Sequence, residues 1–152
     1  MIIVLQRVKE ALVSVRGQVS GKIQNGVCLL VGIERGDTEE DARYLARKIA
    51  ELRIFPDNEG KMNLSLCDVQ GEVLAISQFT LAGSVKKGRR PSFDKAEEPS
   101  RAEPVFRYFV DQVKKYGLKV ETGIFAASMD VSLVNEGPVT FVLQKKEKDT
   151  VS

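Results

Sequence analysis

Three stretches of this chain gather side chains that could do chemistry. Ser77-Gln78-Phe79-Thr80-Leu81 sets two hydroxyls and an amide around one aromatic ring at the end of an apolar run. Such groups at a strand terminus can line a pocket; equally, a strand edge can use them to satisfy its own hydrogen bonds. Asn135-Glu136-Gly137-Pro138-Val139-Thr140 carries an X-Pro bond between two β-rich runs. Gly-Pro in that setting is either a plain turn or a cis unit, which costs only about 0.5–1 kcal/mol at proline and lets neighbouring carbonyls point one way as a paired acceptor. Lys86, Lys87, Arg89 and Arg90 place four cations in five residues on a chain whose formal net charge is only +2. That run is a solvated loop or a phosphate-contacting surface. With Phe93 alone beside it, stacking on the bases of a single strand is not indicated.

What is missing narrows the chemistry further. The 152 residues include no histidine, so Ser-His-Asp triads, Cys-His pairs, histidine bases and histidine metal ligands are excluded. Thr80 lacks the base that a hydroxyl nucleophile needs. Acids, bases and nucleophiles must come from Asp, Glu, Lys, Tyr, Thr, Ser, the backbone or the substrate. Cys28 and Cys67 belong to no CxxC pair and are expected as free buried thiols, so no metal and no other cofactor is expected. Gly83 to Gly88 has P-loop glycine spacing but lacks the Lys-Ser/Thr that must follow, and Gly17 to Lys22 has the wrong spacing.

These stretches must be positioned by strands and two helices. Ile3 to Val15 is rich in β-branched residues, Arg16-Gly17-Gln18 offers a turn, and Val19 to Ile23 alternates. Asn25-Gly26 predicts a type I′ hairpin into Val27 to Ile33, whose continuous apolarity predicts a strand covered on both faces. A capping box with Asp37 as N-cap and Glu40 at N3 precedes the stripe Ala42, Leu45, Ala46, Ile49 and Leu52. A second box, Ser100 to Glu103, precedes Phe106, Phe109, Val110 and Val113, with Pro104 at the edge of the first turn and Gly117 closing the helix. Further strands are expected at Val73 to Phe79, Leu118 to Thr122, Met129 to Asn135 and Val139 to Gln144. The pattern predicts an α+β fold, mostly antiparallel, as one domain over residues 1–145 with a polar tail at 146–152. The N-terminus lacks signal-peptide features and no apolar run is long enough to span a bilayer, which predicts a cytoplasmic protein without a membrane partner.

The chain resembles the D-aminoacyl-tRNA deacylase family, first described as D-tyrosyl-tRNA deacylases, over nearly its whole length. The resemblance is carried by Gln6-Arg7-Val8, Gly36-Asp37-Thr38, Leu52-Arg53-Ile54-Phe55-Pro56, Lys61-Met62-Asn63, Ser77-Gln78-Phe79-Thr80-Leu81, Gly88-Arg89-Arg90-Pro91-Ser92-Phe93 and Asn135-Glu136-Gly137-Pro138-Val139-Thr140. Departures are Glu136, where the family often has Asp, and Ala82, where an aromatic is common and which bears on the pocket rim.

The resemblance implies a β-barrel-like α+β domain working as a homodimer, with its active site at the subunit interface. It implies hydrolysis of the ester joining a D-amino acid, or glycine, to the terminal adenosine of tRNA. Ser77, Gln78, Phe79 and Thr80 would form the floor and oxyanion side, and Gly137 and Pro138 the chiral selector of the partner's site. Arg7 would brace that selector, and Phe125 and Met129 would hold the adenine. Lys86, Lys87, Arg89 and Arg90 then become candidates for the tRNA backbone. Two non-enzymatic alternatives remain at this point: a tRNA-end or nucleotide-binding module, and a structural dimerisation domain.

Overall fold

The computed structural model describes residues 1–145, so the polar tail at 146–152 lies outside the described residues. The chain runs β1 (Ile2–Val15), β2 (Gln18–Ile23), β3 (Gly26–Gly32), α1 (Glu39–Glu51), β4 (Arg53–Pro56), β5 (Met62–Ser65), a one-turn α2 (Leu66–Val69), β6 (Glu72–Ser77), α3 (Pro99–Lys114), β7 (Val120–Thr122) and β8 (Asp130–Gln144). β1 is the spine. One edge pairs antiparallel with β3 through Ile2 to Val8 and then with β2 through Ala11 to Val15; the other edge pairs antiparallel with β8.

The rest of the main sheet is parallel, β3 to β6 and β6 to β7, so the sheet is mixed. Each parallel step encloses a helix, α1 in the first and α3 in the second, as a parallel crossover requires. The sheet curls until β2 approaches β7, where Ser20 Oγ donates to the Thr122 carbonyl at 3.1 Å. Gly21 permits this approach, because a Cβ there would stand 2.8 Å from the Thr122 oxygen. The result is a nearly closed, barrel-like α+β fold. α1 and α3 pack on its outer face, burying Leu45, Ile49, Phe106 and Phe109 against Ile3, Leu5, Leu29 and Val31. Val8, Val13, Ile23, Cys28, Leu74 and Ile76 fill a second cluster.

The helical stripes lie where periodicity predicts them, but both caps differ. α1 is capped by Thr38, not Asp37: its hydroxyl accepts from the Asp41 N–H at 3.3 Å and the Asp41 carboxylate accepts from the Thr38 N–H at 3.0 Å. Asp37 is committed elsewhere, accepting from the buried Met1 ammonium at 2.7 Å and from the Glu34 N–H at 2.6 Å. α3 begins at Pro99, with Glu98 as N-cap and no side-chain cap, so the Ser100–Glu103 box does not form. Proline at the first helical position has no N–H to lose. Pro104 consequently sits inside the helix, in its second turn.

Two turn expectations also change. The type I′ signature falls at Arg16 and Gly17, with φ of 52° and 78°, where Val15 pairs with Gln18. Asn25-Gly26 makes no hairpin, because β2 and β3 follow one another along the same edge of β1, both antiparallel to it, so the chain runs on there without reversing. Gly137-Pro138 is not a turn between two strands. It lies within one fifteen-residue strand, β8.

Candidate active site

β6 ends at Ser77, still in register with Val31 of β3, and Gln78 N–H donates to the Val31 carbonyl at 2.7 Å. The chain then tightens into a 3-10 turn at Phe79–Ala82, closed by the Gly83 N–H on the Thr80 carbonyl at 3.0 Å. The N–H groups of Phe79 and Thr80 fall at the start of that turn, where a helical ladder leaves its donors unused. Gln78 Nε2 donates to Thr80 Oγ1 at 3.0 Å, so the hydroxyl faces a neutral amide and no base.

Ser77, Gln78, Phe79 and Thr80 open onto a cavity of about 600 Å³ whose far wall carries Phe125, Ala126, Ala127 and Met129 from the loop before β8. Phe125 leans on Phe106 of α3 with ring centroids 6.0 Å apart. Ala126, between the two expected adenine-holding residues, has φ +65°, a left-handed conformation that disfavours a Cβ. Six expected site residues are thus brought together. Ala82, expected at the rim, is buried and is not among the cavity's lining residues.

The Gly137-Pro138 unit is built separately. Between Gln6 and Val8 the β8 register jumps from Thr140 to Asn135, so residues 136–139 bulge out opposite Arg7. The peptide bond between Gly137 and Pro138 is cis. Arg7 is 8 % exposed; its Nε donates to the Glu136 carbonyl at 3.1 Å and its Nη1 to the Ile54 carbonyl at 2.6 Å. Asn135, a residue sequence reasoning left without a role, closes the bulge: its Oδ1 accepts from the Val139 N–H at 2.7 Å and its Nδ2 donates to Thr140 Oγ1 at 3.0 Å. Gly137 has φ +139°, and a Cβ there would stand 3.0 Å from the Val139 nitrogen. None of Arg7, Gly137 and Pro138 lines the 600 Å³ cavity of the same chain.

Lys86, Lys87, Arg89 and Arg90 lie on an exposed loop pinched at its base by Ser84 and Ser92, which exchange backbone hydrogen bonds at 2.7 and 2.8 Å. Phe93, just beyond the pinch, meets Phe79 edge to face at 5.1 Å and so docks the loop beside the cavity mouth. None of the four cations is in an ion pair among the described residues. Sequence reasoning also missed Glu97, the one ionisable side chain on the cavity wall among the described residues. No local motif marks it; only the pairing of residues 95–97 with the end of β3 brings it there.

The family model described as D-Tyr-tRNA(Tyr) deacylase matches residues 4–144, which takes in the cavity, the bulge and the basic loop. The chain belongs to that family. It is a D-aminoacyl-tRNA deacylase, a hydrolase. A D-aminoacyl-tRNA deacylase of Bacillus cytotoxicus is 57% identical to it over 146 residues, covering 96% of this chain and 100% of the relative. One from Geobacter sp. strain M21 is 57% identical over 145 residues, covering 95% and 97%.

Among solved structures, one of the c-Myc DNA Unwinding Element Binding Protein superposes on the deacylase with TM-score 0.89 at 40% identity, covering 95% of this chain and 99% of that one. One of a "probable eukaryotic D-amino acid tRNA deacylase" gives TM-score 0.81 over 93% and 97%; at 18% identity it speaks for the fold alone. No helix among the described residues is long and apolar enough to cross a membrane.

Proposed function

We propose that this deacylase proofreads chirality at the tRNA 3′ end through backbone geometry, with the tRNA itself assisting hydrolysis. The observation that carries the reading is the cavity that joins Ser77, Gln78, Phe79 and Thr80 to Phe125 and Met129 while leaving Gly137 and Pro138 outside. A homodimer resolves the separation: the Gly137-Pro138 bulge of one copy enters the cavity of the other. Val131, Val134, Phe141 and Val142 of β8, all exposed in the single chain, supply an apolar surface for that pairing.

In the complete site, the carbonyls of Gly137 and Pro138 accept from the substrate ammonium. The ester carbonyl sits against the Phe79 and Thr80 N–H groups, and the adenine lies between Phe125 and Met129. Two directions at Cα are then set. A D side chain points outward; an L side chain meets the Gly-Pro backbone and is rejected sterically. Repulsion suits an enzyme that must spare abundant L-aminoacyl-tRNA, since added contacts alone discriminate modestly. Glycine, with nothing to clash, is also accepted.

Water attacks the ester carbon, the N–H groups hold the developing oxyanion, and the ribose 3′-oxygen leaves and takes up a proton, releasing free amino acid and tRNA. The adenosine 2′-hydroxyl positions the water, and no covalent enzyme intermediate, metal or cofactor takes part. The amide facing Thr80 Oγ1 supports this, because neither of its atoms would take a proton from a nucleophile. The exposed basic loop contacts tRNA phosphates. A substrate made for translation places the enzyme in the cytoplasm.

The test is single-turnover deacylation of D-Tyr-tRNA, L-Tyr-tRNA and Gly-tRNA. Rapid release from the D and glycyl substrates with the L substrate spared is expected; binding without turnover would leave a tRNA-end module, and neither would leave a dimerisation domain. Thr80→Ala is expected to retain most of the rate, and a loss of several orders of magnitude would make Thr80 the nucleophile.

A further inference from the structure

Beyond Gly32, the edge of β3 that pairs with β6 is taken over by residues 95–97. Glu34 and Ala96 form an antiparallel bridge, flanked by Arg35 N–H on the Lys95 carbonyl at 2.9 Å and Glu97 N–H on the Ile33 carbonyl at 3.0 Å. The register sets Glu97 opposite Ile33, as β6 sets Ser77 opposite Val31. Residues opposite one another share a face, and so do residues two apart on a strand. Ser77 and Glu97 therefore face the same cavity, and all four residues line it. Two strand steps separate them along β3, roughly 7 Å. Glu34, one residue over, faces the other way and is buried against the Met1 ammonium.

Among the described residues, Glu97 brings the only ionisable side chain to this wall. Its Oε1 accepts from the Glu98 N–H at 2.9 Å, which orients the carboxylate and leaves its other oxygen to act as an acceptor. We infer that Glu97 is a substrate-positioning residue whose carboxylate accepts a hydrogen bond from the 2′-hydroxyl of the terminal ribose. The inference rests on the reading of the cavity as the aminoacyl-adenosine site. Within that site the ammonium already has carbonyl acceptors and the ester carbonyl has N–H donors. The exocyclic amine of adenine lies across the nucleoside, by Phe125 and Met129. The 2′-hydroxyl adjoins the ester and is the donor that remains for a carboxylate two strand steps from Ser77 on the same face. A hydroxyl that donates to a carboxylate is a stronger acceptor in turn, so its oxygen holds the attacking water in place.

The experiment is calorimetric binding of two non-hydrolysable analogues, D-tyrosyl-3′-amino-3′-deoxyadenosine and its 2′-deoxy counterpart, to wild type, Glu97→Met and Glu97→Gln. Losing a hydrogen bond to a charged acceptor should weaken the ribo analogue about tenfold or more in Glu97→Met, with Glu97→Gln intermediate. The 2′-deoxy analogue should bind all three proteins alike. Equal losses on both analogues, or no loss on either, would overturn the assignment. Glu97→Gln keeps an oxygen for the Glu98 N–H and serves if the methionine variant folds poorly. Absence of D-Tyr-tRNA hydrolysis by wild type would sink the reading of the site itself; hydrolysis with analogue binding insensitive to Glu97 would sink this assignment alone.

Discussion

Arg7 spends its hydrogen bonds on carbonyls of its own chain, Glu136 and Ile54, and so acts on the selector through the backbone. Arg7→Ala should let the bulge relax and admit L-Tyr-tRNA, lowering the D/L ratio of kcat/KM; an unchanged ratio would remove the bracing role. The same change leaves two carbonyls short of donors, at about 1–3 kcal/mol for a buried group, which urea unfolding would register separately. Arg7→Lys keeps the charge but cannot fork to both carbonyls, so it should resemble the alanine variant in selectivity. Cys28 is a second residue with a clear expectation. Burial pushes its thiol up to about 12, so the thiolate is scarce at pH 8. A disulfide reagent should label Cys28 only as fast as the protein unfolds, and rapid labelling in the native state would contradict its place in the core. Of the two unpaired thiols only Cys28 is buried as expected; Cys67, on the one-turn α2, is half-exposed. The unpaired state of both, Arg7's bond to the bulge and the gathering of the Ser77–Thr80 motif were legible from residue types and motif resemblance. Asn135 as a clasp and Glu97 on the wall were not, because each role depends on a register no local pattern encodes.

The basic loop acts as an element. Its base is pinned by the Ser84–Ser92 pair and its flank by Phe93 on Phe79, so four cations with no ion-pair partner among the described residues stand beside the cavity mouth. Changing Lys86, Lys87, Arg89 and Arg90 to glutamine should raise KM for tRNA with little effect on single-turnover rate at saturation. It should also flatten the salt dependence, by up to about one unit of log-log slope per lost phosphate contact. Unaltered KM and slope would return the run to an ordinary solvated loop. At this scale the helix stripes were readable, because burying one face of a 3.6-residue period is a local demand. The caps were not. Asp37 is a good N-cap by type, but a buried ammonium and the Glu34 N–H compete for its carboxylate, and Thr38 takes the cap.

For the whole molecule, the expectation is a dimer whose sites are each completed by the other copy. Ala127→Trp should fill the cavity, and Gly137→Ala should strain the bulge at φ +139°. Each variant alone should be inactive. Unfolded and refolded together in equal amounts, they should recover about a quarter of wild-type activity, since half the dimers are mixed and each mixed dimer has one intact site. No recovery from well-folded mixtures, or sedimentation as a monomer, would contradict a shared site. By itself the sequence determined the α+β class, the helical faces, the buried central strand and the two motifs, since these follow from local periodicity and motif identity. Only the tertiary structure decided that β2 runs on into β3 along one edge of β1 without a hairpin between them, that parallel ladders join β3, β6 and β7, and that Gly137-Pro138 is a bulge on one strand rather than a turn between two. It alone set Glu97 in line with Ser77 along β3. Strand neighbours are chosen by packing between residues far apart in the chain, and that choice leaves no mark on any short stretch of sequence.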